Sequence, residues 1–303
     1  MRRLILAAVG AFCLFIGLLG LILPFLPGWL FIFVGLSLIA PKFAEKVKGR
    51  VYRKLFKKDI VYAGEWRKTG VHAGFTTRHF PFVVSKTDDL LDPANQERFR
   101  KLFVNNPVMA ENGVGPVSKF AFLSQVHADG IAVLVDKSAY AEDRFYHFPG
   151  ADALLTNVPG LALLVLTADC LPVFLRAGSW IGLVHAGWRG TQKEISKKAF
   201  RLLVERSGAK PADVHIAFGP RIGKDRYEVG EEFSGHFRSV RRRGGKLTFD
   251  LGAENKLQLL AAGASSANIV DHEICTVDEN ENFYSFRREK DAAGRMISFI
   301  IKT

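Results

Sequence analysis

The chain has only three cysteines in 303 residues, Cys13, Cys170 and Cys275. An odd number without regular spacing argues against a disulfide framework and fits a reducing compartment. Methionine is equally scarce at three, and the eight histidines include no His-x-His pair. Blue-copper and trinuclear copper centres draw on such pairs and often on an axial Met. Copper oxidase chemistry is therefore disfavoured, although two imidazoles and a thiolate would still accept copper. No internal repeat, low-complexity tract or RNA- or DNA-binding motif is present, and no nucleic-acid partner is expected.

Charge is also missing where it is usually found. Residues 4–40 contain no charged side chain, and Pro24-Phe25-Leu26-Pro27-Gly28-Trp29 breaks this run in the middle. A single bilayer crossing takes ~20 residues, so the run predicts a transmembrane or re-entrant helical hairpin over 1–41. A secretory signal peptide competes from the Met1-Arg2-Arg3 start, but the apolar run is too long and no small-residue cleavage site follows its first arm. Residues 42–58 then carry eight Lys or Arg against Glu45, a large share of the net charge of +12. Within the basic connector 42–69, these residues are expected to meet anionic lipid headgroups. With Arg2 and Arg3 they place both ends of the hairpin in the cytoplasm. The expected location is the cytoplasmic (inner) membrane, with the domain at 70–303 facing the cytoplasm.

Within 70–303, strand signals fall at Val71–Thr77, Phe82–Ser85, Ile131–Val135, Leu161–Leu166, Trp180–Val184, Val214–Phe218 and Ile297–Ile301. Asp92-Pro93 opens a helix running to Phe103. Thr191 with Glu194 reads as a capping box for a helix that buries Ile195, Ala199, Leu202 and Leu203 and stops before Gly208. Asp250 precedes a helix over Ala253–Ala262. This order predicts a mixed-sheet α/β domain.

Three segments carry the chemistry: Ser-Gln-Val-His at 124–127, Thr-Ala-Asp-Cys-Leu-Pro at 167–172 and His-Ala-Gly-Trp-Arg-Gly-Thr at 185–191. The last two follow apolar runs, so Cys170 and His185 are expected together at the ends of neighbouring strands. His127, Cys170 and His185 form a ligand set that suits zinc and leaves a fourth position for water or substrate. Arg189, with backbone N–H groups near Thr191 and the small Gly187 and Gly190, makes a candidate anion site. Arg78, Arg287 and Arg288 are further candidates for phosphate, and Gln125 for a hydrogen bond to substrate. Asp169 is a candidate acid/base or a partner that orients a ligand histidine. Cys275 reads as an ordinary buried thiol, and the other histidines as structural or exposed.

These segments, with Gly219-Pro220-Arg221-Ile222-Gly223, Tyr227-Glu228-Val229, Cys275-Thr276 and Ser285-Phe286-Arg287-Arg288, resemble the multicopper polyphenol oxidase, or laccase-domain, family, whose members are read as zinc-dependent purine nucleoside phosphorylases. The likeness covers roughly 70–303. It departs at His79-Phe80-Pro81-Phe82, Ala128 and Lys224-Asp225. The resemblance implies an α/β sandwich related to Cys-His hydrolases, with His127, Cys170 and His185 as metal ligands. It also implies phosphorolysis of adenosine or inosine to ribose 1-phosphate and base, and deamination of adenosine. The N-terminal run resembles small bacterial membrane proteins with a Pro-Gly-Trp turn. The alternatives are a copper oxidoreductase, an amide hydrolase using Cys170 and His185 as nucleophile and base, and a membrane-tethered binding module without catalysis.

Overall fold

The computed structural model describes residues 59–63, 66–115 and 117–303. They belong to the second of two units into which the chain divides, residues 58–303. The hairpin and most of the basic connector lie outside the described residues. Among the described residues, no helix is long and apolar enough to cross a membrane.

The strands in chain order are β1 Ile60–Tyr62, β2 Val71–Thr76, β3 Lys119–Ser124, β4 Ile131–Leu134, β5 Phe145–Pro149, β6 Ala153–Thr156, β7 Leu161–Thr167 and β8 Leu171–Ala177. They continue as β9 Trp180–Ala186, β10 His215–Phe218, β11 Glu228–Val229, β12 Val240–Arg243, β13 Lys246–Phe249, β14 Ile269–Asp271 and β15 Met296–Lys302. The α-helices are α1 Pro93–Val104, α2 Pro107–Glu111, α3 Trp188–Gln192, α4 Ile195–Ser207, α5 Leu251–Ala261 and α6 Phe286–Glu289.

Two six-stranded mixed sheets form the body, in the orders β1-β2-β15-β7-β3-β5 and β14-β10-β8-β9-β6-β4, with a small third sheet, β11-β13-β12. β7, β9 and β15 are buried along nearly their whole length. They are central strands covered on both faces, which is why they read as continuous apolar runs rather than alternating ones. One outer core packs Phe99 and Phe103 of α1 against Phe120, Phe122, Phe145 and Phe299 of the first sheet. The other packs Ile195, Ala199, Phe200 and Leu203 of α4 against Val173, Leu175 and Val184 of the second.

The topology sets up the site by crossing between the sheets. β3 leads to β4, β5 to β6 and β7 to β8, each pair joining the first sheet to the second. The crossings occupy residues 125–130, 150–152 and 168–170.

Several sequence expectations are corrected. Phe82–Ser85 is not a strand; Val84 makes only an isolated bridge to Arg295. Ile60–Tyr62, read as connector, is an edge strand paired to β2. The capping box at Thr191 and Glu194 is absent. Thr191 lies inside the one-turn α3, Glu194 adopts φ 60° and ψ 36°, and α4 starts only at Ile195. Thr191 Oγ1 is occupied instead by Asn255 Nδ2 at 3.0 Å. α1 begins as read, with Asp92 capping Ala94 N, whereas α5 starts at Leu251, two residues before the Ala253 read, with Asp250 capping Ala253 N.

Candidate metal centre

The crossings bring the chemistry together. His127 lies on the first, Cys170 closes the third, and His185 is the penultimate residue of β9. Leu171 pairs with Ala186 in the β8–β9 ladder, which sets Cys170 beside the end of β9. The expected reason was different. The run Leu161–Leu166 belongs to the first sheet, and the partner of β9 is β8, which was not foreseen. One ligand atom from each of His127, Cys170 and His185 lies within 4.8 Å of the others. The two imidazoles meet edge to face, with centroids 4.8 Å apart.

The residue that holds this set is Asp152, on the second crossing, and sequence reading missed it. Its carboxylate accepts from the backbone N–H groups of Val126, His127 and Ala128 at 2.8–3.2 Å. It also takes His185 Nδ1 at 2.8 Å, and its carbonyl accepts His185 N. The bond at Nδ1 selects the tautomer that presents Nε2 as ligand. The first crossing is bent by a positive φ of 58° at His127, which turns its three N–H groups onto the carboxylate. The available signal was a lone acid in the apolar stretch Ala151–Leu155.

The electrostatics follow from this packing. Burial alone would push the Cys170 thiol up, but His185 and His127 overcome it and bring it down to about 6. Burial would lower His185, but the Cys170 thiolate and Asp152 lift it to about 9. Burial would also raise Asp152, yet its bonds to His185 and the backbone hold it below the usual carboxylate range. The pocket thus favours a thiolate, a ligand zinc prefers.

Space fits a metal as well. A Cβ on Gly187 would lie 3.0 Å from Cys170 Sγ and 3.1 Å from His127 Cδ2. Gly187 has φ −78°, so its lack of a side chain leaves room rather than conformational freedom. A Cβ on Gly190 would press on Ala128 O at 2.9 Å, so this glycine lets α3 pack on the first crossing. Both were expected to let the backbone approach a phosphate.

The three ligands open into a cavity of about 680 Å³, within the usual range for small-molecule sites. Gln125, Asp169, Arg189 and Arg287 line it. Arg189 stacks over Trp188 at 4.4 Å, and Arg287 over Tyr227 at 5.2 Å. Burial and the nearby Cys170 charge push the Tyr227 phenol up. Gln125 is committed to the fold, since its amide donates to Leu166 O at 2.7 Å and accepts from Leu166 N at 2.8 Å. Asp169 accepts from Thr276 Oγ1 and Arg287 N, both at 2.6 Å. It ties α6 and the Thr276 loop to the third crossing and bonds to no histidine among the described residues.

Three candidates are placed elsewhere. Arg78 lies outside the cavity lining, paired with Glu289 at 2.6 Å and stacked on Tyr284 at 4.6 Å. Thr191, within α3, is fully buried and bonded to Asn255. Arg288 is held by the carbonyls of Thr276, Val277 and Phe283. Lys86, Lys290 and Arg295, which the sequence reading did not single out, line the cavity instead.

A metal-capable His₂Cys set at a crossing between two mixed sheets, opening on a cationic cavity, defines an α/β small-molecule site. The chain belongs to the multi-copper polyphenol oxidoreductase laccase family, whose model matches residues 72–303. A second family model, described as "Putative transmembrane protein (PGPGW)", matches residues 3–54. The chain is 32% identical over 255 residues to purine nucleoside phosphorylase YlmD of Geobacillus stearothermophilus, covering 76% of this chain and 90% of that protein. It is 35% identical over 193 residues to adenosine deaminase RL5 from an unknown prokaryotic organism, covering 59% and 74%. The crystal structure of YlmD from Geobacillus stearothermophilus superposes with a TM-score of 0.66 at 30% identity, covering 81% of this chain and 96% of that one.

Proposed function

We propose that this protein is a zinc-dependent purine nucleoside phosphorylase that cleaves adenosine- and inosine-type nucleosides with phosphate, with adenosine deamination as a second activity. The observation that carries the reading is the His127–Cys170–His185 set, anchored by Asp152, at the head of a cavity lined by Arg189 and Arg287. The names of the relatives at 32% and 35% identity support it. Zinc held by the three ligands would supply Lewis-acid polarisation, on which both reactions draw.

The chain's own residues account for the rest. Arg189 and Arg287 hold hydrogen phosphate against C1′ of the ribose. The C1′–N9 bond breaks as a C1′–O bond forms, and the proton of hydrogen phosphate ends on the departing base. Pre-placed guanidinium groups lower the barrier by positioning the anion and stabilising charge as the bond breaks. Leu166, Ile222, Tyr227 and Phe286 offer apolar and aromatic surface to the purine.

Zinc-loaded full-length protein in detergent should cleave inosine only when inorganic phosphate is present, and should yield ribose 1-phosphate. Release of free ribose at the same rate without phosphate would mean hydrolysis instead. A second reading is favoured by one observation: Asp152, His185 and Cys170 are linked in the order of an acid–base–nucleophile triad. A metal-free protein that hydrolyses amides would establish that reading.

The N-terminal assignment also stands as a proposal. The uncharged run at 4–40 and the match of residues 3–54 support a membrane anchor, with the enzyme domain facing the cytoplasm and residues 42–58 on anionic headgroups. Full-length protein should then stay with membranes through a high-salt wash. A reporter fused after Thr303 and active only outside the cytoplasm would reverse the orientation.

A further inference from the structure

Phosphorolysis of a nucleoside leaves part of the cavity's charge unused. Five lining residues are Lys or Arg, namely Lys86, Arg189, Arg287, Lys290 and Arg295, against one acid, Asp169. Asp169 keeps its charge, but its two oxygens are bonded to Thr276 Oγ1 and Arg287 N and it forms no ion pair with any of the five cations, so the lining carries a large net positive charge. Arg189 and Arg287 suffice for one phosphate. The other three cations come from two segments that the backbone joins directly, since Arg295 N donates to Val84 O at 2.7 Å.

Each of the three is open to a ligand. Lys86 Nζ has one ion-pair partner, Asp88 at 3.6 Å, with both side chains about two-thirds exposed, at 69% and 66%, while Asp89 is spent on the backbone N–H groups of Ser85 and Lys86. Arg295 spends Nη1 on the carbonyls of Ala293 and Gly294, which holds its guanidinium 5.8 Å from the centre of the Phe286 ring. The Lys290 side chain makes no hydrogen bond or ion pair with the described residues, its backbone alone bonding to Phe286 O and Ala293 N. Its backbone sits at φ 54° and ψ −134°, a conformation that glycine holds freely and other residues hold under strain. A lysine there puts an unpaired ammonium at the cavity wall.

We infer that the cavity takes a purine nucleoside 5′-monophosphate, with its 5′-phosphate on Lys86, Lys290 and Arg295 and the attacking phosphate on Arg189 and Arg287. This rests on the phosphorylase reading for the position of the attacking phosphate. The same bonds change as in the nucleoside reaction: C1′–N9 breaks, C1′–O forms, and the proton of hydrogen phosphate ends on the base. The products are ribose 1,5-bisphosphate and the free purine, with no redox partner. A 5′-phosphate reaches this wall tethered through the ribose, so it binds without the separate association cost of a second free anion.

The test compares inosine with inosine 5′-monophosphate on zinc-loaded full-length protein, with inorganic phosphate present. The expected result is a KM for the nucleotide at least tenfold below that for inosine, with ribose 1,5-bisphosphate as product. Lys290→Ala should raise the nucleotide KM about tenfold more than that of inosine or inorganic phosphate. Lys290→Gly should do the same, and because glycine suits this backbone, its loss cannot be ascribed to misfolding. The inference falls if the nucleotide is neither cleaved nor competitive with inosine while inosine is cleaved. It falls too if both variants raise the KM for inorganic phosphate instead, which would make this wall the attacking-phosphate site. If neither compound is cleaved, the phosphorylase reading fails and equilibrium dialysis decides. Tighter retention of the nucleotide than of inosine, lost in Lys290→Gly, upholds the binding site, and equal retention overturns it.

Discussion

The two walls of the cavity are built on opposite plans. On the wall made by the sheet crossings, Asp152 satisfies three backbone N–H groups and one imidazole, and both ends of the Gln125 amide are closed on Leu166. On the wall made by residues 84–87 and 290–295, the Lys290 side chain has no partner among the described residues and Lys86 is only loosely paired. The first wall has spent its polar groups on holding ligands in place, which is what a metal site needs. The second has kept its charges free, which is what recognition of a mobile anion needs. Changes on the first wall should therefore be read out in metal and stability, and changes on the second in anion affinity.

The largest effect is expected at Cys170. Cys170→Ala should lower zinc affinity by more than about 100-fold, beyond the loss usual for a residue that only supports a ligand. Stoichiometric zinc in that variant after chelator treatment would dissolve the contrast between the walls. Asp152→Asn should cost about 10–100-fold in zinc affinity. It should also cost about 3–5 kcal/mol of stability, since a buried charge network loses its centre; metal analysis and urea unfolding measure the two separately. Gly187→Ala should reduce zinc affinity by about tenfold or more with little change in melting temperature, because the new methyl crowds Cys170 and His127 while φ −78° accepts alanine.

Arg189→Ala sharpens the comparison from the anion side. A lost charge-assisted contact is worth about 1.5–3 kcal/mol, so the KM for inorganic phosphate should rise by about one to two powers of ten with zinc still bound. The smallest change should come from Gln125→Ala. It should cost about 1–2 kcal/mol in urea unfolding, from the two backbone groups of Leu166 left to find other partners, and leave the metal content alone. A large fall in turnover with unchanged stability would mean that Gln125 meets the substrate after all.

The clustering of His127, Cys170 and His185 was legible in the sequence because cysteine is scarce here and Cys170 and His185 follow apolar runs. Their support was not. Asp152 carries no motif of its own, and its role depends on where the second crossing lies relative to the first. Arg78 shows the opposite failure, since nothing in Thr-Thr-Arg reveals that Glu289, 211 positions away, will hold its guanidinium. Thr191 and Glu194 match a capping box in spacing, yet the chain breaks between α3 and α4. The side chain of Glu194 turns to Lys197 instead, at 2.8 Å. Central strands were found where apolar runs were long. Short or edge strands such as β1, β6 and β12 carry too few residues for their period to show.

The three crossings also bear on the order of folding. His127, Asp152 and Cys170 lead into β4, β6 and β8, and His185 closes β9, so the four meet only once the second sheet has formed from segments distant in sequence, contacts that close slowly. A metal held there ties the ends of β8 and β9 to the crossing that enters β4. It binds the formed sheet alone, and so it should raise the stability of that sheet with its concentration by mass action. Zinc uptake during refolding should then follow closure of the second sheet and report its rate.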